Sequence, residues 1–225
     1  MIPLRDVIPS RTRPIVTVAI ILVNAAVFLF EVTLPDPQLN ALFGRFGLVP
    51  AHFSMASVLT SMFLHGGWLH VIGNMWCLWI FGDNVEDRMG HGRFLVFYIL
   101  CGAIAAIGQV AIQPMSHVPT IGASGAIAGV MGAYLVLYPR SRILTLIPIF
   151  VFIQIIEIPA VYFLLFWFVI QLFSGVGALA TSSGAPVGGV AFWAHVAGFL
   201  GGVLGVLVFR RPERQRAEWW HDRDR

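Results

Sequence analysis

Four polar side chains that stand in apolar stretches of the sequence could together hydrolyse a peptide bond. They are a serine, two histidines and an asparagine: Ser124, His195, His70 and Asn74. Serine attacks a carbonyl once a neighbouring base takes its proton, and neutral histidine is the usual base near neutral pH. The oxyanion that forms on attack needs hydrogen-bond donors. We therefore expect Ser124 to be the nucleophile and His195 its base. We expect the Ser124 N–H, His70 and Asn74 to form the oxyanion hole.

Each of these residues, taken alone, also has a purely structural interpretation. A single histidine in an apolar helix is more often a hydrogen-bonded packing residue, and an asparagine often joins two membrane helices. Ser124 could bond back to the first turn of its own helix. The catalytic interpretation depends on the convergence of all four residues at one depth. Because no Asp or Glu stands near His195 in the sequence, we expect a Ser–His dyad without a carboxylate.

Glycines follow both the serine and its expected base at helical spacing. Residues 125, 129 and 132 are glycines, and so are residues 198, 202 and 205. Such spacing places the glycines on one face of each helix, where two backbones can approach closely. We expect these two faces to bring Ser124 and His195 within hydrogen-bonding distance.

The composition indicates a membrane protein with several spans. Hydrophobic residues make up 58% of the chain and charged residues 11%, against about 25% charged in an ordinary soluble domain. All 14 basic residues are arginines, and they cluster between apolar runs. Membrane topology explains such clusters better than nucleic-acid binding, which we therefore do not expect.

The apolar runs predict an all-α, six-transmembrane-helix bundle, since a span needs about 20 apolar residues. The predicted spans are 15–33, 68–88, 94–112, 121–138, 158–177 and 190–209. Pro148 and Pro159 interrupt the long fifth run, so residues 143–156 are interpreted as an interfacial segment. The bundle of residues 15–209 would lie between a cytoplasmic N-terminal segment, 1–14, and a charged cytoplasmic tail, 210–225.

Arginine placement predicts the orientation of the bundle. Thirteen of the 14 arginines fall on the side of the two termini, and Arg45 alone falls opposite. By the positive-inside rule the termini are cytoplasmic, which puts Ser124 toward the external face of the plasma membrane. The long external loop, 34–67, is too apolar to be disordered and should contain short interfacial helices.

Two further expectations concern other residues. His91 is interpreted as a loop residue between the second and third spans. Four aromatic side chains of the fifth span are expected to face lipid: Phe163, Phe166, Trp167 and Phe168.

Four motifs, in order along the chain, resemble those of rhomboid intramembrane serine proteases of the compact six-span bacterial type. They are residues 65–74 (HGGWLHVIGN), 82–88 (GDNVEDR), 122–125 (GASG) and 194–198 (AHVAG). The resemblance implies a six-span bundle that cleaves transmembrane segments of membrane proteins near their external end, with small residues at the scissile bond. The partners would be membrane-protein substrates, with lateral entry between spans two and five, and no metal or organic cofactor is implied.

The resemblance also implies roles for individual residues. Ser124 matches the family's nucleophile, His195 its base, and His70 and Asn74 its oxyanion-hole side chains. Five residues match structural positions: Gly122, Gly125, Gly198, Glu86 and Arg88. In the first loop the sequence departs from the family, because Ala56 and Ser57 stand where a Trp-Arg pair is frequent.

Other functions are weaker fits to the sequence. A zinc intramembrane protease would need a His-Glu-x-x-His motif, which the sequence does not contain. The serious alternative is a non-catalytic rhomboid-like scaffold that binds transmembrane clients. Such relatives lack the serine or the histidine, whereas this chain has both. The sequence does not indicate an oligomeric state.

Overall fold

The computed structural model describes residues 1–149, 152–181 and 190–211, so the predicted tail lies outside the described residues from residue 212 onward. The described residues are mostly helical. The helices are α1 (Ile15–Glu31), α2 (Asp36–Phe46), α3 (Met55–Thr60), α4 (Trp68–Met89), α5 (His91–Ile112), α6 (Ser124–Leu137), α7 (Ala160–Thr181) and α8 (Phe192–Phe209). The strands are β1 (Ile2–Asp6), β2 (Arg142–Ile149) and β3 (Phe152–Pro159).

Several helices are suited to a bilayer. Helices α5, α7 and α8 are each long and apolar enough to cross a membrane. A fourth crossing is possible through a pair of helices, Met55–Phe63 and Trp68–Met89, which are bent by 91° at the break between them. Helices α1 and α6 are apolar but shorter, with 17 and 14 residues. The fold is therefore that of a membrane protein.

Helix α6 lies at the centre and packs against α4, α5 and α8. Glycines allow its closest contact, because a methyl group on Gly198 would overlap the carbonyl oxygen of Gly125. One turn further along, a methyl group on Gly202 would overlap the carbonyl oxygen of Gly129. The close approach of two glycine faces, expected from sequence, is confirmed.

The three strands form an antiparallel sheet in the order β1-β2-β3. The prediction of an all-α chain is therefore wrong for residues 2–6 and for most of the segment read as interfacial. Three isoleucines and one threonine make up half of the eight residues of β2, and such β-branched residues pack well in a pleated strand. Pro159 closes β3, where a missing N–H costs no ladder bond at the edge of the sheet.

Glu86 ties together one end of the bundle. Its buried carboxylate accepts the N–H groups of Val16 and Thr17 at 2.9 and 2.8 Å, which satisfies the first turn of α1. Its Oε1 also lies 2.5 Å from His91 Nδ1. His91 is the first residue of α5, so its interpretation as a loop residue is wrong. The neighbouring Arg88 accepts the N–H of Arg211 through its carbonyl oxygen at 3.1 Å.

The first loop contains two short helices, α2 and α3, as its apolar content predicted. Leu48 and Thr120 exchange backbone hydrogen bonds, which attach this loop to the segment before α6. Thr60 Oγ1 donates to the carbonyl oxygen of Phe46 at 2.6 Å and lies 3.1 Å from that of Ala56. These bonds anchor the loop in the absence of a Trp-Arg pair.

Candidate active site

Ser124 and His195 meet where two central helices begin. Ser124 is the first residue of α6, and His195 lies in the first turn of α8. The glycine contact between these helices brings Ser124 Oγ to 2.8 Å from His195 Nε2. His195 is buried, whereas Ser124 is half-buried and so can be approached. This is the geometry in which a serine can pass its proton to an imidazole.

The other ring nitrogen of His195 has a partner that the sequence did not reveal. Gln171 Oε1, on α7, lies 2.7 Å from His195 Nδ1. A carbonyl oxygen only accepts hydrogen bonds, so Nδ1 carries the proton and donates it. In neutral imidazole the lone pair is then on Nε2, facing Ser124. Gln171 therefore holds the tautomer that a general base requires, the role that a carboxylate has in a triad.

Helix α7 also covers the imidazole with an aromatic ring. The centroid of Trp167 lies 5.9 Å from that of His195, with the rings 34° apart. Phe163 is 4% exposed, and the ring of Phe168 lies 4.9 Å from that of Phe199. Phe166 is 51% exposed, as expected for a lipid-facing residue, and Trp167 and Phe168 are half-buried, whereas the expectation is wrong for Phe163.

Two donors converge on the backbone just before Ser124. A methyl group on Gly122 would lie 2.6 Å from His70 Nε2 and 3.5 Å from Asn74 Nδ2. His70 Nδ1 accepts the N–H of Gly66 at 3.3 Å, which leaves Nε2 as the donor in a neutral ring. Asn74 Nδ2 is buried and has no hydrogen-bond partner among the described residues. A buried donor without a partner is costly, which is typical of a group that awaits a ligand.

All four side chains predicted for the site therefore lie near the beginnings of α4, α6 and α8. Gly122 has a φ of +121°, a conformation that side chains disfavour, and leaves space beside His70. Gly125 packs against Ala105, where a methyl group would lie 2.5 Å from that residue's Cβ. Glu86 and Arg88, by contrast, lie three turns or more further along α4 and do not touch the site.

A small cavity adjoins Ser124. Glycine and alanine form much of its wall, including Gly102, Ala105, Ala106, Gly125, Ala126 and Ala194. Such a lining is apolar and leaves room for a small side chain beside the serine hydroxyl.

The fold and the site define a mostly helical membrane protein with a serine–histidine pair in its interior. The Rhomboid domain family model matches residues 52–212, most of the chain. The chain belongs to the rhomboid family, as the four sequence motifs indicated.

The chain is similar to both bacterial and mitochondrial members of this family. Over 85 residues, 38% of the chain, it is 39% identical to Rhomboid protease GluP of Bacillus subtilis and covers 16% of it. Over 168 residues, 72% of the chain, it is 29% identical to Rhomboid protein 1, mitochondrial, of Saccharomyces cerevisiae and covers 44% of it. Over 100 residues it is 32% identical to the human presenilin-associated rhomboid-like protein, mitochondrial, covering 26% of it. The matched part is less than half of each relative.

Proposed function

We propose that this chain is an intramembrane serine endopeptidase that cleaves transmembrane segments of other membrane proteins. The observation that carries the proposal is the 2.8 Å contact between Ser124 Oγ and His195 Nε2, with Nδ1 held by Gln171 at 2.7 Å. Together these contacts give the serine a base in the correct tautomer. One of the similar proteins bears the name Rhomboid protease, which supports the same reaction class.

The reaction follows from the positions of the groups. Ser124 Oγ attacks the scissile carbonyl carbon while its proton moves to His195 Nε2. The oxyanion accepts hydrogen bonds from the Ser124 N–H, from His70 Nε2 and from Asn74 Nδ2. When the tetrahedral intermediate collapses, the imidazolium returns the proton to the leaving amine. Water then attacks the acyl carbon and gives a proton to Nε2. The imidazolium returns that proton to Ser124 Oγ as the bond between the serine and the acyl group breaks.

The cavity beside Ser124 supports a preference for substrates with small residues at the scissile bond. Its alanine and glycine walls suit an alanine or a glycine side chain better than a bulky one. This agrees with the substrate class that the family resemblance implies. The lipid bilayer and single transmembrane segments are then the partners of the site.

We further propose that six helices, α1 and α4 to α8, cross the plasma membrane with both termini in the cytoplasm. The 14 residues of α6 span only about 21 Å, less than the bilayer core of about 30 Å. Because α4, α5 and α8 surround this helix, its ends need not meet lipid. Alkaline phosphatase fused in the loop of Arg45 should be active, and one fused after Arg225 inactive. The reverse pattern would overturn the orientation.

The alternative is a rhomboid-like scaffold that binds clients without cutting them. Such a protein needs neither a nucleophile nor a base. Here the serine, the histidine, the tautomer partner and an unpaired amide donor all converge on one point, which favours catalysis.

Labelling of the purified protein with a fluorophosphonate tests the proposal. The probe reacts only with a serine whose proton is removed by a base. We expect wild type to be labelled and Ser124→Ala not to be labelled. Absence of labelling in a folded wild-type protein would favour the scaffold.

A further inference from the structure

The sheet lies along α4, beside the candidate active site. Trp76 Nε1 donates to the carbonyl oxygen of Pro3 at 2.6 Å, and Asn84 Nδ2 donates to Asp6 at 2.7 Å. Positions 76 and 84 are about 12 Å apart along a helix, and positions 3 and 6 are about 10 Å apart along a strand. Strand β1 therefore runs beside α4 in the same direction, and its first residues lie at the level of Trp76.

That level is close to the expected oxyanion hole. Trp76 lies about 3 Å beyond Asn74 along the helix axis. Strand β2 is antiparallel to β1, pairs with Ile2 through Leu146 and continues to Ile149, which adds about 10 Å toward the beginning of α4. The hairpin of β2 and β3 therefore reaches the depth at which peptide cleavage would occur.

The sheet also connects α4 to α7. Strand β1 packs on α4, β2 lies in the middle, and β3 leads directly into α7 at Ala160. Helix α7 in turn carries Gln171, which contacts His195. The sheet thus stands at the side of the bundle between the helix of the oxyanion donors and the helix that holds the base.

The outer edge of β3 has backbone groups without a strand partner. The Arg142 carbonyl accepts the N–H of Val7, so the backbone groups of residue 142 face β1. Because these groups alternate in direction along a strand, those of residues 143, 145 and 147 face β3. Their partners in the register are residues 158, 156 and 154. The intervening residues, Ile153, Ile155 and Glu157, therefore direct their N–H and C=O groups away from β2. No strand adjoins this edge in the part of the chain that the structure describes.

This edge lacks the usual protection against pairing. Edge strands are commonly blunted by charges or prolines, but here Glu157 and Pro159 stand only at the base. Toward the tip, the two residues whose backbone groups face outward are isoleucines, with Ile153 68% and Ile155 56% exposed. In an apolar environment unpaired N–H and C=O groups are costly, so this edge favours a partner that supplies a backbone.

We propose that the outer edge of β3 binds the transmembrane client as an added strand and presents it to Ser124 in extended form. The inference rests on the proposed function, because cleavage requires an unwound segment at the serine. The bound part would be the client residues on the membrane side of the scissile bond. As a fourth strand, the client would pair its own backbone N–H and C=O groups with the unpaired groups at the edge of β3.

A proline substitution tests the backbone pairing. Ile155→Pro removes one outward N–H without removing a bond to β2, whereas Ile155→Ala keeps that N–H and removes most of the side chain. The substrate is a single-span fusion protein with alanine and glycine at one end of its membrane segment, in liposomes. We expect Ile155→Pro to cleave about tenfold more slowly than Ile155→Ala. A factor of this size is what the loss of one backbone hydrogen bond to the client would produce.

Labelling and cleavage together separate the possible failures. Fluorophosphonate labelling of Ile155→Pro shows that the Ser124 site is folded, since the small probe does not need the edge. Equal cleavage by the proline and alanine variants would overturn the inference. If wild type is neither labelled nor able to cleave, the proposed function fails instead, and crosslinking then decides the role of the edge.

Disulfide crosslinking provides that independent measurement. A cysteine at position 155 is introduced with Ser124→Ala, Cys77→Ala and Cys101→Ala, and single cysteines are moved along the client. An added strand gives crosslinks at every second client position, because side chains alternate along a strand. The control is Val208→Cys in place of Ile155→Cys, at an exposed position away from the sheet. Crosslinks with a helical period of three to four residues would overturn the proposal, and so would a crosslinking yield no higher than that of the Val208→Cys control.

Discussion

The side-chain oxygen of Gln171 lies 2.7 Å from His195 Nδ1, and this contact crosses from α7 to α8. It gives the imidazole a fixed orientation without placing a charge beside it. With Trp167 over the same ring, one helix holds the base from two directions. A displacement of α7 would therefore release the base from its orientation. The position of α7 at the side of the bundle therefore determines the orientation of the proposed catalytic base, His195.

Substitution of Gln171 should change both the rate and its pH dependence. Gln171→Leu removes the acceptor, and we expect kcat to fall by about 10- to 100-fold, since the tautomer is no longer fixed. Gln171→Glu keeps an acceptor for Nδ1 but adds a negative charge, which favours the imidazolium form of His195. The acid limb of its pH–rate profile should move to higher pH. A profile identical to that of wild type would show that Gln171 only fills space.

Asn74→Ala should slow turnover while leaving the fold intact. The Asn74 amide has no hydrogen-bond partner among the described residues, so its removal breaks no bond of the resting protein. One oxyanion-hole donor is typically worth roughly 10²–10³ in kcat. Thermal unfolding in detergent provides the control for folding. Wild-type turnover by a folded variant would assign Asn74 a structural role.

Gly198→Ala should lower stability and activity together. The added methyl group would overlap the carbonyl oxygen of Gly125 and push α8 away from α6. Overpacking of this kind costs about 1–3 kcal/mol. Gly92→Ala is the matched control, because no atom lies within 4 Å of a methyl group placed there. Equal unfolding temperatures for the two variants would contradict the close helix contact.

Asp6 should make stability depend on pH. Burial raises the pKa of its carboxyl to about 6, and the nearby Asp83 adds to this, although the hydrogen bond from Tyr134 opposes it. A carboxyl whose pKa is raised by folding favours the folded state below its unfolded pKa, and this contribution is lost as pH rises through about 6. Asp6→Asn keeps an acceptor for Tyr134 and Asn84. The variant should unfold a few degrees above wild type at neutral pH.

That advantage should shrink as pH falls through about 6 and vanish below about pH 3, where Asp6 is protonated in both the folded and the unfolded chain. Melting curves across this pH range, recorded in detergent, measure the difference. A constant difference between the two proteins at all pH values would contradict the assignment to Asp6.

The helices and their closest contact could be predicted because both depend on local pattern. Apolar runs of helical length predicted α1 and α4 to α8, and the glycines at 125, 129, 198 and 202 predicted which faces meet. The sheet was not predicted, because prolines 148 and 159 in an apolar run were interpreted as breaks in a helical segment. A short apolar run rich in isoleucine is compatible with either a helical segment or a strand. Only the pairing with β1, which is distant in sequence, decides in favour of the strand.

The site was predicted where its residues carry motifs and missed where they do not. Ser124, His195, His70 and Asn74 all stand in recognisable patterns, and the structure places them together. Gln171 has no motif and lies 24 positions from its partner, so its contact depends on how α7 packs. A glutamine in an apolar helix was the available signal, since polar side chains there usually have a partner.

Cleavage of a transmembrane substrate in liposomes is the direct measurement of catalysis by Ser124 and His195. Wild type, Ser124→Ala and His195→Asn are compared at equal amounts of folded protein, with the product termini identified by mass spectrometry. Nucleophile and base act as one unit, so each variant should lose cleavage, and the double variant should be no worse than either single one. We expect one cut in wild type, within the membrane segment. Cleavage that persists in folded Ser124→Ala or His195→Asn would show that these two residues are not the nucleophile and its base.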